Sequence, residues 1–124
     1  MDFYMLELQV TDLGKSVAWY QHFGYRVECL KSEEGFALLR SGTSRLALKQ
    51  LSVENTQISS ASSRGIRLHF EVAALEAEIK RLRSLGLEPA KPMKISPEGY
   101  RHVVYHGPDG VEIGLFEWIS QTKN

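Results

Sequence analysis

The sequence predicts an α+β fold built from two pseudo-symmetric βαβββ modules, and three observations carry that prediction. Residues 6–24, LELQVTDLGKSVAWYQHFG, and residues 68–86, LHFEVAALEAEIKRLRSLG, repeat one another at a constant offset of 62, Leu6 to Leu68. Leu6, Leu8, Val10, Leu13, Val17, Tyr20, Phe23 and Gly24 match Leu68, Phe70, Val72, Leu75, Ile79, Leu82, Leu85 and Gly86 without a gap. Within each copy the apolar period changes from two to helical spacing at the same place, the mark of a strand feeding a helix. A second match, Arg45-Leu46-Ala47-Leu48 to Glu112-Ile113-Gly114-Leu115, runs at an offset of 67, so the added residues fall in loops of the second half. Two copies are too few for a solenoid and suit two halves of one domain.

Residues 5–10 alternate, with Leu6, Leu8 and Val10 on one face and Met5, Glu7 and Gln9 on the other, as in a half-buried strand. Thr11 or Asp12 can N-cap the helix that carries Leu13, Val17 and Tyr20, and Gly24 supplies a left-handed C-cap. Residues 25–30, 36–40 and 45–50 read as three strands joined by the turns Glu33-Glu34-Gly35 and Ser41-Gly42-Thr43-Ser44. Residues 52–65, SVENTQISSASSRG, are polar, serine-rich and unpatterned, and read as a linker.

Residues 67–72 alternate again, Leu68, Phe70 and Val72 against Arg67, His69 and Glu71. The helix after them begins at Ala73-Ala74, which offers no side-chain cap. Residues 87–92 hold two prolines, which restricts them to an edge strand or a loop. Pro97-Glu98-Gly99 turns into a strand over residues 100–106, and Gly107-Pro108-Asp109-Gly110 is a hairpin turn into the last strand, residues 111–118. The expected organisation is one domain, residues 1–124, with module one at about 1–51, a linker at about 52–65 and module two at about 66–120.

Composition narrows the function. Lys plus Arg and Asp plus Glu number 15 each, so no net charge draws the chain to nucleic acid or to an anionic membrane. The apolar runs are far too short to span a bilayer. The first ten residues, MDFYMLELQV, lack the basic and apolar regions of a signal peptide. The one cysteine, Cys29, has no internal disulfide partner, and a cytoplasmic location is the expectation. There is no P-loop, dinucleotide fingerprint, nucleophile elbow or zinc-type cysteine pairing.

The strand faces opposite the apolar ones are unusually polar. They carry Glu7 and Gln9, then Arg67, His69 and Glu71, then Glu112, with Phe116 and Trp118 on the same parity. A type I turn at Pro108-Asp109 with a bulge at Gly110 sets His106 opposite Glu112, Val104 opposite Gly114 and His102 opposite Phe116, which adds His102 and His106 to this face. A one-residue slip would turn both histidines away. Charges, histidines and two large aromatics on one sheet face describe the wall of a small-molecule cleft, or else a solvated sheet face. Arg67 can clamp a carboxylate or phosphate, or pair with Glu7 or Glu71. Glu7 and Glu71 could act as acid and base, though the sequence gives no ground for shifted pKa values.

Two stretches resemble the glyoxalase / bleomycin-resistance / extradiol dioxygenase superfamily, the vicinal oxygen chelate proteins. One is Leu8-Gln9-Val10-Thr11-Asp12-Leu13-Gly14-Lys15-Ser16 followed by Trp19-Tyr20 and Gly24, similar to the family's L-x-V-x-D-L-x-x-S segment and its aromatic-tyrosine pair. The other is Gly107-Pro108-Asp109-Gly110 with Ile113, Leu115 and Glu117, similar to the turn before the family's closing strand. The resemblance implies a cup-shaped mixed sheet with helices on its outer face, and a homodimer. It places the metal-ligand positions of metal-dependent members on Met5, Ala47, Arg67 and Gly114, none of which suits a divalent ion.

The resemblance therefore points to the metal-free, bleomycin-resistance-like branch. The expected function is binding of a small organic molecule, such as an antibiotic, without catalysis, metal or other cofactor. The expected ligand-binding residues are Glu7, Gln9, Arg67, His69, Glu71, His102, Glu112, Phe116 and Trp118. Two alternatives stay open. One is a metal-dependent lyase, isomerase or dioxygenase with ligands relocated to His69, to His102 or His106, and to a glutamate. The other is a protein-interaction module.

Overall fold

The structure, a computed structural model, describes residues 1–51 and 65–119. Apart from Gly65, the expected linker lies outside the described residues. The chain divides into two compact units, one of Met1–Arg64 with Pro108–Gly110 and the other of Gly65–Gly107 with Val111–Asn124. Among the described residues each holds one α-helix and a four-stranded mixed sheet.

In the first unit β1 (Leu6–Val10) leads to α1 (Leu13–Gln21), then β2 (Arg26–Lys31), β3 (Phe36–Ser41) and β4 (Ser44–Gln50), in sheet order β1-β4-β3-β2. β1 and β4 are parallel and the other pairs antiparallel. Leu8, Val10, Ala37, Leu39, Leu46 and Leu48 are buried on one face with Tyr20 of α1, so the period-two and helical stripes of the sequence meet in one core. Full burial of each such leucine contributes about 2 kcal/mol.

Asp12 caps α1, with extended backbone and its carboxylate accepting from the Lys15 amide at 3.1 Å. The helix ends in a six-to-one bond from Tyr25 N–H to the Tyr20 carbonyl, 3.3 Å, turned by Gly24 at φ +95°. Alanine at Gly24 would cost about 1 kcal/mol through its Cβ. β2 is an edge strand, interrupted by a register shift between Val27 and Cys29 that the sequence did not signal. A bulge and terminal cations, Arg26 and Lys31, blunt this edge against pairing with another sheet. Cys29 is half-buried.

The second unit repeats the plan with β5 (Arg67–Glu71), α2 (Leu75–Ser84), β6 (Lys94–Ile95), β7 (Tyr100–His106) and β8 (Glu112–Trp118), in sheet order β5-β8-β7-β6. β5 and β8 are parallel, β6–β7 and β7–β8 antiparallel. Leu75 and Leu82 of α2 are fully buried, as are Ile113 and Tyr105 of the sheet. The C-terminal turn is copied too, with Leu87 N–H on the Leu82 carbonyl at 2.9 Å and Gly86 at φ +87°.

Residues 87–92 form a loop rather than an edge strand, and the edge strand is the two-residue β6. Pro89 and Pro92 have no N–H to give the ladder, so in this stretch Ala90 N–H alone reaches β7, at the Val104 carbonyl, 2.7 Å. Between β7 and β8, Asp109 sits in the left-handed region (φ 59°, ψ 28°), with Gly110 following at φ +83°. Asp109 groups with the first unit: its carboxylate accepts from Thr11 N–H at 3.1 Å and from the Thr11 hydroxyl at 3.0 Å. Among the described residues no helix is long and apolar enough to cross a membrane.

Candidate functional site

The polar face of the second sheet is built in rows. β5 and β8 pair in parallel, so Arg67 lies beside Glu112, His69 beside Gly114 and Glu71 beside Phe116. β7 continues the rows with His106, Val104 and His102, the expected register, although the turn is not the expected type I, since Asp109 is left-handed at φ 59°; Tyr100 lies opposite Trp118. Lys94 of β6 lies beside His102. Arg67, His69, Glu71, His102, Glu112, Phe116 and Trp118 thus share one face. Glu7 and Gln9 belong to the first unit, exposed on β1 beside Ala47 and Lys49.

Within its own unit Arg67 pairs with Glu112 and not with Glu71. Its Nε and Nη2 both reach Glu112 Oε1, at 2.9 and 2.8 Å, because the parallel register sets these two residues side by side. His106 Nε2 lies 3.1 Å from the other oxygen of Glu112. The bond from Arg67 holds the Glu112 carboxyl below its ordinary pKa.

The His102 pKa is lowered, first by burial and then by the positive charges of Arg67, His69 and Lys94, with Glu98 opposing. Tyr100 meets the His102 ring at 5.5 Å, Phe116 at 5.2 Å and Trp118 at 5.5 Å, all tilted or edge-on. The rings form one continuous wall, and Trp118 is 41% exposed at its end.

Beside His102, at one end of this wall, lies a cavity of about 160 Å³ lined by residues 90–92, Arg67, Lys94, His102, His106 and Glu112. Lys91, Lys94 and Tyr100 were missing from the sequence-derived set. A lysine beyond a proline-rich loop carries no periodic signal. Tyr100 could have been found from the hairpin register, two places beyond His102.

The positions that the resemblance equates with metal ligands do not fit a divalent cation. Ala47 is fully buried and has no donor atom. A Cβ on Gly114 would come within 2.9 Å of His69 Nδ1 and 3.5 Å of Arg67 Cδ, so the space of a side chain there is already taken. Arg67 brings a cation of its own. Among the described residues no group of three or more His, Cys, Asp or Glu side chains is placed to hold a metal ion.

A fold of two such units, each a helix on a mixed sheet with a polar opposite face, defines a class of duplicated βαβββ proteins. The chain belongs to the Glyoxalase/Bleomycin resistance protein/Dioxygenase superfamily, whose family model matches residues 3–115. Among solved structures it is similar to a glyoxalase/bleomycin resistance protein/dioxygenase from Nocardioides, with 25% identity and a TM-score of 0.71 over 96% of this chain and 85% of that one. It is also similar in fold to the bleomycin resistance determinant encoded on the transposon Tn5, at 15% identity and a TM-score of 0.69 over 94% and 98% of the two chains. A bleomycin-binding protein complexed with bleomycin shares the fold at 16% identity and a TM-score of 0.68 over the same shares. None of the curated proteins compared with the chain matches it.

Proposed function

We propose that this chain is a small-molecule-binding protein of the superfamily's metal-free kind, which holds an organic ligand on the polar face of its second sheet and does not transform it. The observation that carries this reading is the cavity itself. It sets a cluster of charged side chains beside His102, whose ring meets the aromatic wall at Tyr100, so that polar groups that orient a ligand lie next to rings that can cover it. Gly114, which has no side chain, and Arg67, itself a cation, favour the metal-free branch, since neither offers a ligand to a metal ion. The bleomycin-binding protein of the same fold, complexed with bleomycin, supports a ligand-holding role.

The test is a thermal-shift screen of organic ligands and divalent ions, joined to native mass spectrometry of the protein as purified. A ligand at a hundred times its dissociation constant adds about 2.7 kcal/mol, a rise of several degrees in midpoint. Zn²⁺, Ni²⁺, Mn²⁺ and Fe²⁺ are expected to leave the midpoint unchanged. A rise with one of these ions that EDTA reverses would overturn the reading in favour of a metal-dependent enzyme. The same spectra report whether the chain is the homodimer that we propose.

A further inference from the structure

The cavity of the second unit has a sign. Its walls carry three permanent cations, Arg67, Lys91 and Lys94, against one carboxylate, Glu112. That carboxylate is already taken: Arg67 holds one of its oxygens at 2.8 Å, and His106 lies 3.1 Å from the other. Lys91 and Lys94 have no carboxylate beside them in the lining, so the charge left over is positive. The chain as a whole is neutral, so this is a local field and not a share of a general one.

Size gives a second constraint. At about 160 Å³ the cavity matches the volume, about 150 Å³, that holds a benzene ring, and falls well below a drug-sized pocket. The imidazole of His102 lines it and also stands edge-on to Tyr100, so a ring placed there continues the aromatic wall.

We propose, resting on the ligand-binding function above, that the ligand is a small organic anion of about one ring, its carboxylate or phosphate held by Lys94 and Lys91 and its ring set against His102. This choice separates the chain from one built to hold a cationic guest. His102 reports on occupancy. Burial lowers its pKa first, Arg67, His69 and Lys94 facing it lower it further and Glu98 opposes them, so an anion placed among these groups raises it again.

The experiment uses the full chain and four probes of one shape: benzoate, phenyl phosphate, benzamide and benzylamine. Binding is followed by the amide signals of Val103 and Val104 and by the Cε1–H titration of His102. Benzoate or phenyl phosphate is expected to move these signals, to raise the His102 midpoint, and to bind at least about tenfold more tightly than benzamide. Lys91→Ala with Lys94→Ala should weaken the anions about tenfold, Lys94→Arg should restore most of the loss, and added salt should weaken binding. These lysines are exposed, so the variants should keep the parent's unfolding midpoint.

Benzamide or benzylamine moving the same signals as strongly as the anions would overturn the choice of an anion and leave the ligand-binding function standing. If none of the four probes moves any signal on this face, both fall.

Discussion

Glu117 Oε1 accepts a hydrogen bond from the amide of Leu75 at 3.0 Å, capping a helix whose own first residues offer no cap. The first unit has the same device: Gln50 Oε1 accepts from the Leu13 amide, also at 3.0 Å. Leu13 and Leu75 differ by the 62-residue offset, and Gln50 and Glu117 by the 67-residue offset. In both units the closing strand therefore pins the start of the helix, satisfying an amide that α-helices leave unpaired.

Gln50→Ala should cost about 1 kcal/mol in urea denaturation, the usual worth of a lost cap. Glu117→Ala should lower the midpoint further, because Glu117 also holds Arg101 Nη2 at 2.8 Å. Glu117→Gln keeps the cap and loses the charge, and should fall between the wild type and the alanine variant. Equal midpoints for all three Glu117 forms would show that the cap contributes nothing.

Stability should decline in acid in two stages. The His102 pKa is lowered from 6.5 by burial and then by its cationic neighbours, so protonation costs the folded state more than the unfolded chain as pH falls below that value. Glu112 is lowered from 4.5 chiefly by its bond from Arg67, and Glu117 chiefly by its bond from the Leu75 amide. Their contributions are complete above 4.5 and are lost as pH falls through the lower folded values. Urea midpoints from about pH 7 to about pH 3 should show this, and Arg67→Gln should make the lower stage shallower.

Gly114→Ala tests the crowding over the centre of the face. Its Cβ would lie 2.9 Å from His69 Nδ1, so the imidazole must swing away. His69 is exposed and can do so, and the stability cost should stay within about 1 kcal/mol. The sign of the movement is a changed His69 ring signal and a lost edge contact with Phe116, now 6.4 Å between centroids. In a His69→Ala background the substitution should cost nothing measurable.

Asp109→Ala should cost about 1 to 2 kcal/mol, from the two lost bonds to Thr11, and it keeps a Cβ in the left-handed backbone. Asp109→Gly loses the same bonds but relieves the backbone, and should recover about 1 kcal/mol of that cost. Equal midpoints for the two variants would remove the backbone share of the argument.

Much of this was legible in the residues because repetition states it twice. The offset from Leu6 to Leu68 predicts two strand–helix units, and the hairpin turn predicts the pairing of His106 with Glu112. What stayed hidden depends on contacts between distant segments. Arg67 has three acidic residues within reach of sequence logic, and only the parallel β5–β8 register selects Glu112. Glu117 reads as one more polar residue in a strand until α2 is laid against it. Lys91 and Lys94 gain meaning when the proline loop folds over β7.

Thr11 and Asp109 stand 98 positions apart in the chain. During synthesis Thr11 must wait for this carboxylate until a further 98 residues have been added. The early half can collapse on its own apolar face well before then, but its final latch closes last.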